Sequence, residues 1–343
     1  MRLVTFACTN GMTRHSRVGV WDGGQEVIDV NAAVAADYAH RGQRRALALA
    51  DALAPAEMAE LLSGGREGLD LVRAGVDAAR DRGHDTVDHL RVRWSTDEIR
   101  LLAPLPRPPS IRDFLMVEEH VRNALENLPP ERRPAHGIEA IAETPGYYKG
   151  SVESVLGPDD VLAWPSYTEQ LDYELELAVV IGAPGRDIAP EDAHKHIAGY
   201  TVFNDWSARD IQMLEMRVGL GPGLGKDFAY SLGPCIQCDE RFDPITARMQ
   251  ARVDDEVWSD GSIAAMLKTF PELVAWSSRA VELKPGDVIG SGTIARGCGL
   301  ELGRYLWPGA VVELEVDGIG VLRNRVGDRP TAHPADHRGT SRS

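Results

Sequence analysis

The segment Leu171-Asp172-Tyr173-Glu174-Leu175-Glu176-Leu177 alternates apolar and acidic residues without a break. On a β-strand successive side chains point to opposite faces, so Asp172, Glu174 and Glu176 share one face at spacings of about 7 Å. Carboxylates gathered in this way repel one another once partly buried, and two remedies exist. Either water screens an exposed acidic face, or a hard divalent cation such as Mg²⁺, Mn²⁺ or Ca²⁺ takes them as oxygen ligands. A second acidic position lies in Thr201-Val202-Phe203-Asn204-Asp205-Trp206-Ser207-Ala208-Arg209-Asp210-Ile211-Gln212. There an apolar strand ends in Asn204-Asp205 and a helix begins. Asp205 or Ser207 could simply cap that helix, or Asp205 could join the acidic face. Arg209 and Gln212, three apart on one helical face, would then offer a guanidinium and an amide to an anionic substrate.

Such side chains need strands to carry them and turns to bring them together. Strand patterns recur at Gln170–Ile181, Gly199–Asn204, Cys235–Cys238, Ala251–Val253, Asp287–Gly290 and Ala310–Val316. Helical patterns cover Phe114–Asn127, Ala208–Met216 and Ile263–Ala275. Upstream, strand signals at Leu3–Phe6, Arg17–Trp21 and Glu26–Asp29 precede a stretch rich in Ala, Leu and Arg from Asn31 to Arg82, broken at Gly64-Gly65. Residues 103–110 hold four prolines, which neither a helix nor a central strand accepts. These features predict a small N-terminal α/β domain over 1–102, a Pro-rich linker over 103–110, a catalytic domain over 111–327 and a disordered tail over 328–343. The expected class is α+β with strands predominating, without the βαβ rhythm of a dinucleotide-binding fold.

Composition narrows the function. The 343 residues carry a net charge of −15 and no basic cluster, a poor match to nucleic-acid phosphates. No run of about 18 apolar residues is present, so no membrane span is expected. Met1–Phe6 reads as a first strand rather than a secretory signal. Four cysteines are too few for a disulfide scaffold, and a cytoplasmic location is expected. Cys235-x-x-Cys238 lacks a second pair or a nearby His at ligand spacing, so both thiols read as small apolar packing. The glycines of 219–225 precede Lys226 without the Lys-Ser/Thr pair of a phosphate loop.

Taken together, the motifs resemble those of the fumarylacetoacetate hydrolase family. Asp113-Phe114 with His120 seven residues after the Asp, the Leu-Asp-Tyr-Glu-Leu-Glu-Leu strand, the Asn204–Gln212 string, Gly225-Lys226 and Ser291-Gly292-Thr293 occur in the family's order. The resemblance implies a mixed β-roll catalytic domain, usually homodimeric, with one Mg²⁺, Mn²⁺ or Ca²⁺ per site. It implies Glu174, Glu176 and Asp205 as metal ligands, with Asp113 as a fourth in members that cleave fumarylacetoacetate. Lys226 matches the lysine near the metal, and Arg209, Gln212 and Thr293 match residues that hold substrate oxygens. Tyr147 takes the position of a pocket-lining aromatic, with Lys149 as the alternative. Residues 1–100 are similar to the smaller N-terminal domain of longer members.

The chemistry so implied is hydrolysis of a C–C bond in a 2,4-dioxo acid, an acylpyruvate or a fumarylacetoacetate-like substrate. The cation would polarise a carbonyl and stabilise the departing enolate, with His120 as general base. A base of this kind needs a carboxylate to orient it. Hydrolytic members often place a Glu three residues after this His, but here that residue is Asn123, and Leu115 stands where fumarylacetoacetate-cleaving members often have Tyr. Glu301 lies beyond Ser-Gly-Thr, where those members bring in a Glu, although its spacing from Thr293 differs; Glu119 and Glu126 are further candidates. Related members decarboxylate, isomerise or dehydrate oxo and sugar acids at the same metal, so those reactions stand as alternatives. A binding protein that keeps the metal cradle without catalysis is the rival from another class.

Overall fold

The run Leu175–Ile181 forms a strand in which every residue is buried. A strand covered on both faces belongs inside a sheet, and this one lies between the antiparallel strands Ile197–Asn204 and Val288–Gly290. The structure, a computed structural model, describes residues 1–9, 16–126, 141 and 143–330. The main sheet runs in the order Arg93–Ser95, Glu26–Asp29, Arg17–Trp21, Arg2–Cys8, Tyr230–Gln237, Ile197–Asn204, Leu175–Ile181, Val288–Gly290, Ile111–Phe114, Tyr147–Gly150. A second sheet orders Val161–Leu162, Gly320–Val326, Val311–Val316, Met249–Val253 and Glu256–Gly261. This is a strand-rich α+β fold.

Alternation along the central strand sorts the core into two layers. Leu177, Val179 and Ile181 pack with Val312, Leu314 and Val316 of the second sheet. Ala178 and Val180 face the other way, into a core shared with Val30–Ala36, Leu61, Leu62, Val72 and Val76. Those apolar residues come from the helices Val30–His40, Met58–Ser63 and Gly65–Arg82. The expected break at Gly64-Gly65 falls between the last two, where Gly65 has φ +59°. By the same alternation Glu176 lies on the helix-side face, whereas Glu174 precedes this strand and Asp172 belongs to a separate strand, Leu171–Asp172, paired with Ser207–Ala208, so the expected strand Gln170–Ile181 is broken in two. None of the three is more than 5% exposed, so the solvated acidic face is excluded.

Several expected elements shift. Phe114 ends the strand Ile111–Phe114, parallel to Val288–Gly290, and the helix begins only at Glu118. The expected helix Ile263–Ala275 is instead Phe270–Ser277, started by a capping box between Thr269 and Glu272. The Pro-rich stretch 103–110 does not interrupt the main sheet, because Arg2–Cys8 pairs directly with Tyr230–Gln237. Asn127 and residues 331–343 of the expected tail lie outside the described residues. Among the described residues, no helix is long and apolar enough to cross a membrane.

Phe203 locks the layer beneath the acidic face: it is fully buried, stacks on Tyr230 at 6.0 Å and pairs in register with Glu176. Phe203→Ala is expected to cost roughly 3–5 kcal/mol of unfolding free energy. Urea denaturation measures this, and an unchanged midpoint would show that the stack bears no weight.

Candidate active site

Three strands bring their acids to one point. Glu176 comes from the central strand, Asp113 from Ile111–Phe114, and Asp205 follows directly on Ile197–Asn204. Gly290 pairs with both Ala178 and Asp113. A Cβ there would stand 2.3 Å from Asp113 Oδ1 and 3.0 Å from Glu176 Oε2, so the glycine leaves room for the two carboxyls to converge. Asp113, Glu176 and Asp205 each place an oxygen within 4.8 Å of the others, all buried.

The donor set fits a hard divalent cation. Asp113 Oδ1 and Asp205 Oδ1 are buried without a hydrogen-bond partner, and an unpaired buried carboxylate oxygen is costly unless something positive meets it. Burial, reinforced by neighbouring acids, pushes Glu176 and Asp205 well above the ordinary carboxylate range, and Asp113 upward too. An all-oxygen cluster of this kind suits Mg²⁺, Mn²⁺ or Ca²⁺.

Glu174, expected as a ligand beside Glu176, is engaged differently. Its Oε1 accepts from Arg209 Nη2 at 2.8 Å and its Oε2 from Lys226 Nζ at 2.5 Å. Burial alone would raise its pKa, but the Arg209 and Lys226 charges outweigh that and hold it far below the usual range. Lys226 Nζ also donates to Asp205 Oδ2 at 2.5 Å, and these carboxylates keep the buried ammonium charged. Of the four expected ligands, Asp113, Glu176 and Asp205 form the three-carboxylate group within 4.8 Å, and Glu174 joins them through Lys226.

The carboxylate partner of His120 is Glu301. His120 Nδ1 lies 2.7 Å from Glu301 Oε1, with both residues buried. Glu301 also accepts from Asn123 Nδ2 at 2.9 Å and from the backbone N–H groups of Arg296 and Gly297 at 2.7 and 3.1 Å. Asn123, one helical turn after His120, thus fixes the acid supplied from elsewhere. An ionised carboxylate only accepts, so Nδ1 carries the proton and Nε2 is left basic. The other candidates, Glu119 and Glu126, are exposed.

Other expected residues are redirected. Arg209, 2% exposed, spends Nε on Asp172 at 2.8 Å, Nη1 on Gln212 Oε1 at 3.0 Å and Nη2 on Glu174. Its five N–H groups still leave donors for an anion. The Thr293 hydroxyl donates to Glu176 Oε1 at 3.3 Å, and Gly292 N donates to Glu176 Oε2 at 3.1 Å. Tyr147 is 37% exposed, packs on Phe114 and occupies the strand face away from Asp113, while Lys149 is exposed. The aromatic on the acidic face is Tyr148, paired in register with Asp113, its ring 5.9 Å from Lys226 Nζ and its hydroxyl buried without a partner. A strict two-residue alternation from Asp113 across the pairing would have selected it. Cys235 is buried in the strand Tyr230–Gln237 and Cys238 is buried just past its end, where burial pushes the Cys238 thiol up to about 12, consistent with packing.

Residues 110–327 match the C-terminal domain of fumarylacetoacetate (FAA) hydrolase. The chain belongs to the fumarylacetoacetate hydrolase family. It is 33% identical over 238 residues to the oxaloacetate tautomerase YisK of Bacillus subtilis, covering 68% of this chain and 75% of that protein. It is 31% identical to the mitochondrial oxaloacetate tautomerase fahd2 of Xenopus laevis, over 95% of this chain and 90% of that one. The solved fumarylacetoacetate hydrolase of Exiguobacterium antarcticum superposes with a TM-score of 0.67 at 29% identity, over 96% of this chain and all of that one. Family membership and the acidic cluster together make this a metal-binding enzyme fold.

Two outcomes follow for the cluster. Because burial and like charge raise Asp113, Glu176 and Asp205, the metal-free protein retains protons there that the unfolded chain has already lost. Their contribution to its stability therefore falls as pH rises above the ordinary carboxylate range. A divalent cation must expel those protons, so its affinity rises with pH. Calorimetric titration with Mn²⁺ in buffers of different ionisation enthalpy should report proton release that shrinks at higher pH; absence of release near pH 6 would contradict the raised values. Gly290→Ala should weaken Mn²⁺ binding roughly tenfold or more by forcing two ligands apart. Unaltered affinity, read from the free-Mn²⁺ resonance signal, would remove these residues as the ligand pair.

Proposed function

We propose that the protein is a divalent-metal-dependent tautomerase of small 2-oxo acids, interconverting the keto and enol forms of oxaloacetate. The observation that carries the reading is the buried His120–Glu301 pair at 2.7 Å, in a chain that also gathers three buried carboxylates suited to a hard cation. The names of the two curated relatives, at 33% and 31% identity, support oxaloacetate as the first substrate to try.

Tautomerisation needs one group that takes a proton from carbon and returns it to oxygen. With Nδ1–H committed to Glu301, His120 Nε2 accepts the C3 proton of the keto acid, and Glu301 stabilises the imidazolium that results. The same nitrogen then delivers the proton to the enolate oxygen. One proton leaves carbon, one reaches oxygen, and no co-reactant is consumed. Arg209 offers its remaining N–H donors to a substrate carboxylate, and Lys226 balances the charge that develops. A bound Mg²⁺, Mn²⁺ or Ca²⁺ held by Asp113, Glu176 and Asp205 supplies Lewis-acid polarisation of the oxo group.

C–C hydrolysis of a 2,4-dioxo acid is the second reading, favoured by the 29% identity to a solved fumarylacetoacetate hydrolase. The same His120 base would then activate a water. The decisive assay follows the enol absorbance of oxaloacetate and of acylpyruvates with Mg²⁺ or Mn²⁺, with and without chelator. Enol oxaloacetate should ketonise faster than in buffer, and His120→Ala should lower kcat by roughly 10²–10⁴-fold. Cleavage of acylpyruvates with oxaloacetate unaffected would install the hydrolase reading. Turnover of neither, with His120→Ala indistinguishable from wild type, would leave a non-catalytic metal-binding protein.

A further inference from the structure

Asp172, like Glu174, belongs to the alternating acidic segment but to neither the carboxylate cluster nor the proposed proton transfer, yet it is completely buried. A carboxylate withdrawn from water persists only if its oxygens are met by donors, and here the donors come from two different parts of the site. Arg209 Nε donates to Oδ2 at 2.8 Å. The backbone N–H groups of Gly299 and Leu300 donate to Oδ1 and Oδ2 at 2.7 and 3.0 Å. Gly299 and Leu300 open the short helix Gly299–Leu302, whose next residue is Glu301.

That juxtaposition has a mechanical consequence. The four-residue helix is too short to hold itself in water, and its position is set by what grips its first turn. Asp172 grips it there, while Gly297 N donates to Glu301 Oε1 at 3.1 Å and Leu175 N donates to Gly297 O at 2.9 Å just upstream. Gly299 itself leaves no room for a side chain: a Cβ would meet Asp172 Oδ1 at 2.6 Å and Arg304 O at 2.2 Å. On its other side Asp172 fixes the Arg209 guanidinium, whose further contacts run to Gln212 and Glu174. One carboxylate thereby spans the anion-binding arginine and the element that carries the partner of His120.

We propose that Asp172 is a positioning residue that holds Arg209 and the His120–Glu301 pair in fixed relation, so that a bound oxo acid meets the base in one orientation. The inference rests on the proposed roles of Arg209 and His120. Its readouts do not require turnover, so it can fail while the assigned reaction stands, or stand while that reaction fails. Asp172 is not among the three clustered cation ligands, so its loss should leave cation binding in place.

The test uses full-length Asp172→Asn, nearly isosteric but carrying N–H groups where an acceptor oxygen is needed. Three quantities are compared with wild type: the far-downfield proton resonance of a His Nδ1–H bound to carboxylate, the affinity for oxalate in the Mn²⁺-loaded protein, and the affinity for Mn²⁺ itself. The expected pattern is loss or marked upfield movement of the resonance, oxalate binding weakened roughly tenfold or more, and Mn²⁺ affinity within about twofold of wild type. Gly299→Ala, which keeps every charge and disturbs the same contact from the helix side, should reproduce the altered resonance. The inference is overturned if Asp172→Asn keeps both the resonance and the oxalate affinity. It is also overturned if Mn²⁺ affinity falls as far as oxalate affinity in both variants, since Asp172 would then be supporting the site as a whole.

Discussion

The structure is organised around negative charge held out of water. Asp113, Asp172, Glu174, Glu176 and Asp205 are all buried, against the buried cations Arg209 and Lys226. Desolvation of that many carboxylates is tolerable only where each oxygen has a donor or a cation to face. Much of the local architecture answers to this demand. Gly290 permits two acids to approach, Gly292 and Thr293 donate to Glu176, Asn204 accepts from the backbone of Glu174, and the Lys226 ammonium joins Glu174 to Asp205. The apolar layers on both sides of the central strand supply the stiffness that keeps like charges from relaxing apart.

The base stands apart from this cluster and has its own support. His120 and Glu301 are 181 positions apart and meet because the helices Glu118–Glu126 and Gly299–Leu302 lie against each other. Glu301 is held by Asn123 and by backbone donors, none of which can take the carboxylate's proton role. An imidazole so oriented could serve a reaction in which one proton must leave carbon or water, and both a tautomerase and a hydrolase are among the proteins the chain resembles. The difference between those chemistries lies in whether a water can reach the substrate beside the base. The dyad itself does not decide it.

How much of this was legible in the sequence depended on the range over which each interaction acts. Alternation along Leu171–Leu177 identified the acidic face, and the Asn204-Asp205 strand end identified the second acid, because both signals are local. Tyr147 and Tyr148 are adjacent, and only the pairing of Asp113 with Tyr148 says which of the two faces the acids. Phe114 read as helical because the sequence shows no partner for it, whereas the parallel pairing of Ile111–Phe114 with Val288–Gly290 makes it strand. Glu301 could be named as a candidate but not joined to His120. Of the four expected acids, Asp113, Glu176 and Asp205 gather most closely while Glu174 pairs with Arg209 and Lys226; where those two cations settle is information that no spacing rule contains. The sheet shared across residues 103–110 was equally hidden, since prolines mark a connector and say nothing of what the flanking strands pair with.

An anion approaching a protein of net charge −15 faces an unfavourable long-range potential, and five buried acids against the two cations Arg209 and Lys226 leave the site itself short of positive charge unless a divalent cation joins it. At 0.15 M salt the distant surface acids are screened within about 8 Å, whereas buried charges act almost unscreened on whatever reaches them. Arg209 and Lys226 are the buried positive charges of the site, each offset by the carboxylates it pairs with, and a divalent cation would add to them. The same two residues neutralise Glu174, which leaves that acid unable to repel the substrate. On the proposed function, binding an oxo acid and burying the acids become one electrostatic problem: the positive groups that make the buried carboxylates tolerable are the ones an anion would have to meet.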